Sequence, residues 1–304
     1  MLQFPTSEIP IQRIINKKGV ELFLKREDLI HADISGNKYW KLFYNVNSYL
    51  ESRPRRPFII TFGGAFSNHI ASLAAFGKIF NIPTLGIIRG EEWREKVSDN
   101  YTLHGASQNG MGFRFVTREM YRNKDTLTDD LKREFPYALI IPEGGSNLKA
   151  TEGVKFMLNE RTKDFDYLCT AVGTGGTLAG ISRHAEENQK IIGFKVVKDK
   201  RLLENVKELR GKSNFCFYEA DYGGYGKITE LMVHFINHFW ITYNIPLDPV
   251  YTGKMMMRLL QLIEEDFFPM GSRVLAFHTG GLQGIGGANQ LLRKKNRNTI
   301  DIKL

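Results

Sequence analysis

A chain of 304 residues, 42% hydrophobic and 25% charged, has an ordinary globular composition and enough length to bury a sizeable core and form two domains. Its net charge of +9 falls partly in short clusters at 53–56, 198–201 and 293–297 without interleaved aromatics, which argues against a nucleic-acid partner and for solvated faces. The first residues, Met1-Leu2-Gln3-Phe4-Pro5, lack a basic-then-apolar leader and no apolar run approaches about 18 residues, so the expectation is a soluble cytoplasmic protein with no membrane partner.

The predicted elements alternate along the chain. An N-terminal strand precedes Ser35-Gly36-Asn37-Lys38, and Tyr39-Trp40-Lys41-Leu42 opens a helix. Residues 58–62 are a short run of β-formers ended by Gly63-Gly64. From Asn68, the spacing of Ile70, Leu73, Ala74, Phe76 and Gly77 predicts a helix. A strand at 83–88 follows, and Trp93, Val97 and Tyr101 mark one face of a further helix. Strands at 113–116 and 138–141 enclose a helix at 126–135. Strands at 167–172 and 191–197 flank a helix beginning near Thr177. A last strand at 273–277 leads through His278-Thr279-Gly280-Gly281 to a closing helix from about Ile285. Cys169 and Cys216 fall in the strand-like runs 167–172 and 214–218, which predicts two buried, inert thiols and neither a disulfide nor a metal site.

Continuous apolar strands alternating with helices predict an α/β fold of doubly wound, mainly parallel sheets covered on both faces. Ligands in such folds sit beyond the carboxyl ends of strands, where these glycine turns lie. Composition shows no domain boundary.

Gly173-Thr174-Gly175-Gly176-Thr177 follows an apolar strand and opens a helix, so backbone amides, hydroxyls and a helix N-terminus can converge on a phosphate. A tight turn needs glycine even without a ligand, and that alternative stands on local sequence. Leu178 occupies the third glycine position of a dinucleotide fingerprint, and Gly226-Lys227 continues into Ile228, so neither that fingerprint nor a Walker A loop is present. A compact, mononucleotide-sized phosphate fits better. Ser67-Asn68-His69 follows a strand and caps a helix, a structural role that is also compatible with receiving a carboxylate at free amides. Lys38 is an amine that burial would make nucleophilic.

These three segments, Ser35-Gly36-Asn37-Lys38, Gly63-Gly64-Ala65-Phe66-Ser67-Asn68-His69 and Gly173-Thr174-Gly175-Gly176-Thr177, resemble in type and order the pyridoxal-phosphate enzymes of the tryptophan-synthase-β fold type. Within them the chain is similar to the branch holding D-cysteine desulfhydrase and 1-aminocyclopropane-1-carboxylate (ACC) deaminase. The resemblance spans essentially the whole chain. It implies pyridoxal 5'-phosphate as cofactor, a small amino acid as substrate, and a homodimer. It also implies a small α/β domain at 47–148 inserted in a large cofactor-binding domain formed by 1–46 and 149–304, with the active site in the cleft between them.

By the same resemblance, Lys38 holds the cofactor as a Schiff base and moves substrate protons. Ser67 binds the substrate carboxylate or relays a proton, and Asn68 donates to the cofactor's ring oxygen. His69 is divided between a structural role beside the cap and carboxylate binding. Gly173, Thr174, Gly175, Gly176 and Thr177 form the phosphate cradle. Tyr251 and Tyr225 lie on the substrate side as donors or general acids. The expected run Gly-Asn-Lys-x-Arg-Lys-Leu has Trp40 in place of its arginine, and Lys41 is expected to be a surface charge or one step removed from the site. Thr252 and Thr279 stand where ACC deaminases carry Glu and Leu, so a hydroxyl rather than a carboxylate faces the ring nitrogen. That choice favours β-elimination: D-cysteine to pyruvate, sulfide and ammonia. ACC deamination to 2-oxobutyrate and ammonia, β-replacement, and non-catalytic cofactor binding are the alternatives. The chain also runs short of the usual relative around 90–110 and 200–220.

Overall fold

The computed structural model describes residues 1–224 and 226–302. The chain opens with an antiparallel hairpin of β1 (Ile11–Lys17) and β2 (Val20–Lys25), then enters α1 (Asn37–Glu51). Four β-strands follow, interleaved with helices: β3 (Ile59–Gly64), α2 (Asn68–Phe80), β4 (Thr84–Arg89), α3 (Tyr101–Gln108), β5 (Gly112–Val116), α4 (Arg118–Arg122), α5 (Lys124–Glu134) and β6 (Leu139–Ile141). They form an all-parallel sheet in the order β5-β4-β3-β6. The remainder supplies α6 (Leu148–Val154), β7 (Tyr167–Val172), α7 (Gly176–His184), β8 (Lys190–Lys195), α8 (Leu202–Glu208), β9 (Phe215–Glu219), α9 (Glu230–Tyr243), α10 (Thr252–Glu264), β10 (Arg273–Phe277) and α11 (Gly284–Lys294). Here the order is β1-β2-β10-β7-β8-β9, parallel except for the hairpin. The fold is therefore α/β with mainly parallel sheets, as the alternation of elements predicts.

Both sheets are built from the inside out. Every residue of β7 is buried, as are five of the six in β3, because helices cover both faces and no side of either strand reaches water. α2 starts where Ser67 Oγ accepts from the Ile70 amide, and it stops at Asn81, which adopts the left-handed conformation (φ 52°) that Asn tolerates. α1 runs unbroken through residues 46 and 47, so the expected domain boundary falls inside a helix, and α1 packs on α6.

Two expectations are corrected. Residues 93–101 do not form one helix: Glu91–Lys96 is a 3-10 turn, and a separate α3 begins after Asn100, whose side chain accepts from the Leu103 amide. The Asn100 cap cuts the apolar spacing in two, and Trp93 instead packs edge-on against Phe66. Cys169 is buried as expected, but Cys216 is exposed, because β9 is the edge strand of its sheet. No helix among the described residues is long and apolar enough to cross a membrane.

Candidate active site

The carboxyl ends of β3 and β7 face a common cavity, and the turns that leave them carry the residues singled out in the sequence. Lys38, Ser67, Asn68, His69, Tyr251 and Thr279 line this cavity together with the Gly173–Thr177 turn. It opens through Ser67, Gly144, Gly173, Thr174 and Tyr251 into an outer cleft of about 890 Å³. Tyr225 lies outside the described residues.

Lys38 is the second residue of α1. Gly36 just before it has φ 65°, and a Cβ there would stand 2.0 Å from the Thr279 carbonyl oxygen, so only glycine lets the lysine turn meet the Thr279 loop. Lys38 Nζ donates to Asn37 Oδ1 (2.8 Å), while Asn37 Nδ2 donates to Thr177 Oγ1 (2.7 Å). The amine is thus tied through one side chain to the glycine turn. Burial lowers its pKa to about 8 against the opposing charge of Asp248. A usable fraction of neutral amine therefore exists near neutral pH.

The turn after β7 is shaped as a cradle. Gly175 has φ 90°, and a Cβ on Gly176 would lie 2.5 Å from Ser146 Oγ and 3.1 Å from Lys41 Nζ. Thr174 Oγ1 and Ser146 Oγ share a 2.6 Å hydrogen bond, and Lys41 Nζ donates to Ser146 Oγ (3.0 Å) and to the Gly144 carbonyl (3.1 Å). Lys41 is 3% exposed and lines the cavity, where a surface charge or a residue one step removed from the site was expected. Burial, and after it the neighbouring Lys38 charge, push its pKa well down. Glycines that bring amides close, two threonine hydroxyls, the start of α7 and a buried amine together suit a phosphate-sized anion.

Across the cavity, Ser67 caps α2 and leaves the first-turn amides without intrahelical partners. Asn68 Oδ1 accepts from Gln283 Nε2 (3.0 Å), which turns its amide nitrogen toward the Gly281 side of the cavity as a donor. His69 is 1% exposed. Thr61 Oγ1 gives its proton to the Ile141 carbonyl (2.8 Å), so it must accept from His69 Nε2 (2.9 Å). His69 Nδ1 is then a buried acceptor without a partner among the described residues. Burial, and after it the charges of Lys38 and Lys41, hold His69 neutral with its pKa well below the usual range. A neutral ring that offers only an acceptor cannot donate to a carboxylate, so the carboxylate-binding alternative for His69 is set aside.

The two threonines part company. Thr279 lies on the cavity wall, whereas Thr252 is fully buried beneath it, giving its hydroxyl proton to Asp248 Oδ1 (2.7 Å). Asp248 also accepts from the Val250, Tyr251 and Thr252 amides and so caps α10. Tyr251, at the start of that helix, places its ring against Gly173: its Cε1 would be 3.1 Å from a Cβ there. Trp40 fills the arginine position by donating its indole N–H to Glu27 (2.8 Å), while Lys25 supplies the positive charge to the same buried carboxylate (2.8 Å). Sequence reasoning gave no role to Asn37, Ser146, Asp248 or Gln283 and placed Lys41 no nearer than one step from the site; only Asn37, inside the lysine motif, carried a signal that could have found it.

A family model described as pyridoxal-phosphate dependent enzyme matches residues 1–280. A Pyrococcus horikoshii protein named provisionally as a 1-aminocyclopropane-1-carboxylate deaminase is 30% identical over 302 residues, covering 91% of this chain and 90% of that protein. The mitochondrial bifunctional D-cysteine desulfhydrase/1-aminocyclopropane-1-carboxylate deaminase of Arabidopsis thaliana is 28% identical over 301 residues, covering 88% and 74%. A solved structure of an ACC deaminase homologue superposes with a TM-score of 0.76 at 27% identity, covering 95% of each chain.

Proposed function

The chain belongs to the pyridoxal-phosphate-dependent enzyme family, and on that premise we propose that it removes the β-substituent and amino group of a small amino acid, with D-cysteine desulfhydration to pyruvate, sulfide and ammonia as the leading reaction. The cofactor is pyridoxal phosphate, and the residues present fit it: the cradle is closed to any Cβ at Gly176, and a buried amine stands beside it. When bound, this cofactor supplies an electron-withdrawing ring that stabilises negative charge at the substrate Cα.

The chain's own residues divide the remaining work. Lys38 would hold the cofactor through its amine, yield that place to the substrate, and take the Cα proton on the same nitrogen. Lys41, Thr174, Thr177 and the Gly173–Gly176 amides would hold the phosphate. Ser67 and the first-turn amides of α2 would receive the substrate carboxylate, with the positive end of the helix favouring the anion. Asn68 would donate to the ring oxygen, its orientation kept by Gln283. Tyr251, and Tyr225 by resemblance, would protonate or steady the leaving group.

The observation that carries elimination over ring opening is the make-up of the wall: among the described residues that line the inner cavity there is no carboxylate, and Thr279 offers a hydroxyl. A neutral ring nitrogen is a weaker electron sink and suits prompt loss of a β-substituent. The names of the relatives favour a second reading, ACC deamination to 2-oxobutyrate and ammonia. Product analysis decides: sulfide and pyruvate in equal amounts from D-cysteine support elimination, and 2-oxobutyrate from ACC as the faster reaction overturns it. We take 47–148 as the small domain and 1–46 with 149–304 as the large one, and expect a cytoplasmic homodimer; a single-chain mass by light scattering would contradict the dimer.

A further inference from the structure

Arg89 ends β4, one strand over from the Ser67 turn, and its guanidinium Nη2 lies 3.4 Å from where a Gly64 Cβ would be. Gly64 and Ser67 are joined by a backbone hydrogen bond (3.0 Å), so the guanidinium lies beside the turn that would hold the substrate carboxylate. The guanidinium is exposed to the outer cleft, resting 5.6 Å over the ring of Tyr121, which is itself 2% exposed and fixes it from below. The other cations lining that cleft have acidic partners: Arg118 with Glu92 (2.6 Å), Lys124 with Glu143 (2.6 Å) and Lys198 with Asp221 (3.4 Å). Among the described residues Arg89 has neither an ion-pair nor a hydrogen-bond partner. Arg89 lines the outer cleft and not the inner cavity, so only a group that extends out of the inner cavity reaches it. There is room for such a group. The segments around 90–110 and 200–220 reach the rim through Trp93, Asn205, Glu208 and Leu209, and they leave the cleft open.

Building on the proposed reaction, we propose that Arg89 sets substrate specificity by receiving an anionic group at the far end of the β-substituent, so that the preferred substrates are amino acids bearing a β-phosphate, β-sulfate or comparable oxyanion. A guanidinium matches such oxyanions with two parallel N–H donors. The chemistry balances without a redox partner. Lys38 takes the Cα proton, and the Cβ–O bonding pair leaves with the phosphate or sulfate. The resulting 2-aminoacrylate takes up one water and releases ammonia and pyruvate.

The test uses the cofactor-loaded enzyme and both enantiomers of serine O-phosphate, serine O-sulfate and O-acetylserine, the last a neutral ester. Binding is read from the change in cofactor absorbance and turnover from pyruvate. The wild type is expected to bind and turn over the anionic esters about tenfold better than the neutral one, the size of one charge-assisted hydrogen bond. In Arg89→Met that ratio falls to about one through KM, while in Arg118→Met it persists. Equal binding of anionic and neutral esters by the wild type, or a ratio that survives in Arg89→Met or is lost equally in Arg118→Met, would overturn the assignment. Turnover of D-cysteine without any anionic preference sinks this inference alone. Arg89-dependent binding of the anionic esters without turnover of any amino acid upholds it and sinks the reaction.

Discussion

Attachment of pyridoxal phosphate to Lys38 should follow a titration centred near pH 8. Burial lowers the amine's pKa from 10.5 to about 8, with Asp248 pulling the other way. At pH 7 the neutral fraction of such an amine is roughly one in ten, against roughly one in three thousand for a solvated lysine. The perturbation is pH itself: apoenzyme and cofactor are mixed in a stopped-flow instrument, and the absorbance near the visible edge is followed. Between pH 7 and pH 9 the rate should rise about tenfold and then flatten, whereas an unshifted lysine would give about a hundredfold and keep climbing. Asp248→Asn removes the charge that favours the protonated amine, so its midpoint should fall below that of the wild type. A rate that still climbs tenfold per pH unit above pH 9 would refute the claim that this amine is desolvated.

Two further outcomes follow from the contacts around the cradle. Lys41→Met removes the buried amine beside the phosphate site and should weaken cofactor affinity by about 1.5–3 kcal/mol, roughly ten- to a hundredfold, in a fluorescence titration; unchanged affinity would remove Lys41 from the cradle. Gly36→Ala forces a Cβ to within 2.0 Å of the Thr279 carbonyl at a φ of 65°, and should lower the thermal midpoint by the equivalent of about 1–3 kcal/mol or more, together with cofactor uptake. A variant that melts and loads like the wild type would show that the lysine turn and the Thr279 loop are not locked together.

What the sequence made legible is what is local. The cradle, the Ser67 cap and the lysine turn each sit within seven consecutive residues or fewer, where glycine placement and capping chemistry act directly on the backbone. What it hid are partners brought together across the chain: Asn37 and Thr177 are 140 residues apart, Lys41 and Ser146 are 105 apart, and Asn68 and Gln283 are 215 apart. Lys41 looks like a surface charge or one step removed from the site by its helical neighbours, and it is a cavity residue beside Gly144 and Ser146, just before α6, which packs on α1. Cys216 has the neighbours of a buried strand residue, yet its strand takes the sheet edge, and edge position is a property of topology. The periodic trio Trp93, Val97 and Tyr101 shows the converse. A single local cap at Asn100 outweighs the apolar spacing. α9 and α10 are absent from the predicted elements, and with α10 goes its Asp248 cap, which lies too near the Tyr251 motif to be separated from it by pattern alone.

On the proposed reading, the nitrogen at position 38 carries the cofactor. Borohydride reduction of the loaded enzyme followed by peptide mass mapping tests it directly. One pyridoxyl-phosphate adduct per chain is expected, on the peptide containing Lys38, and none there in Lys38→Ala. An adduct on Lys41 instead, or a chain that takes up no cofactor, would contradict it.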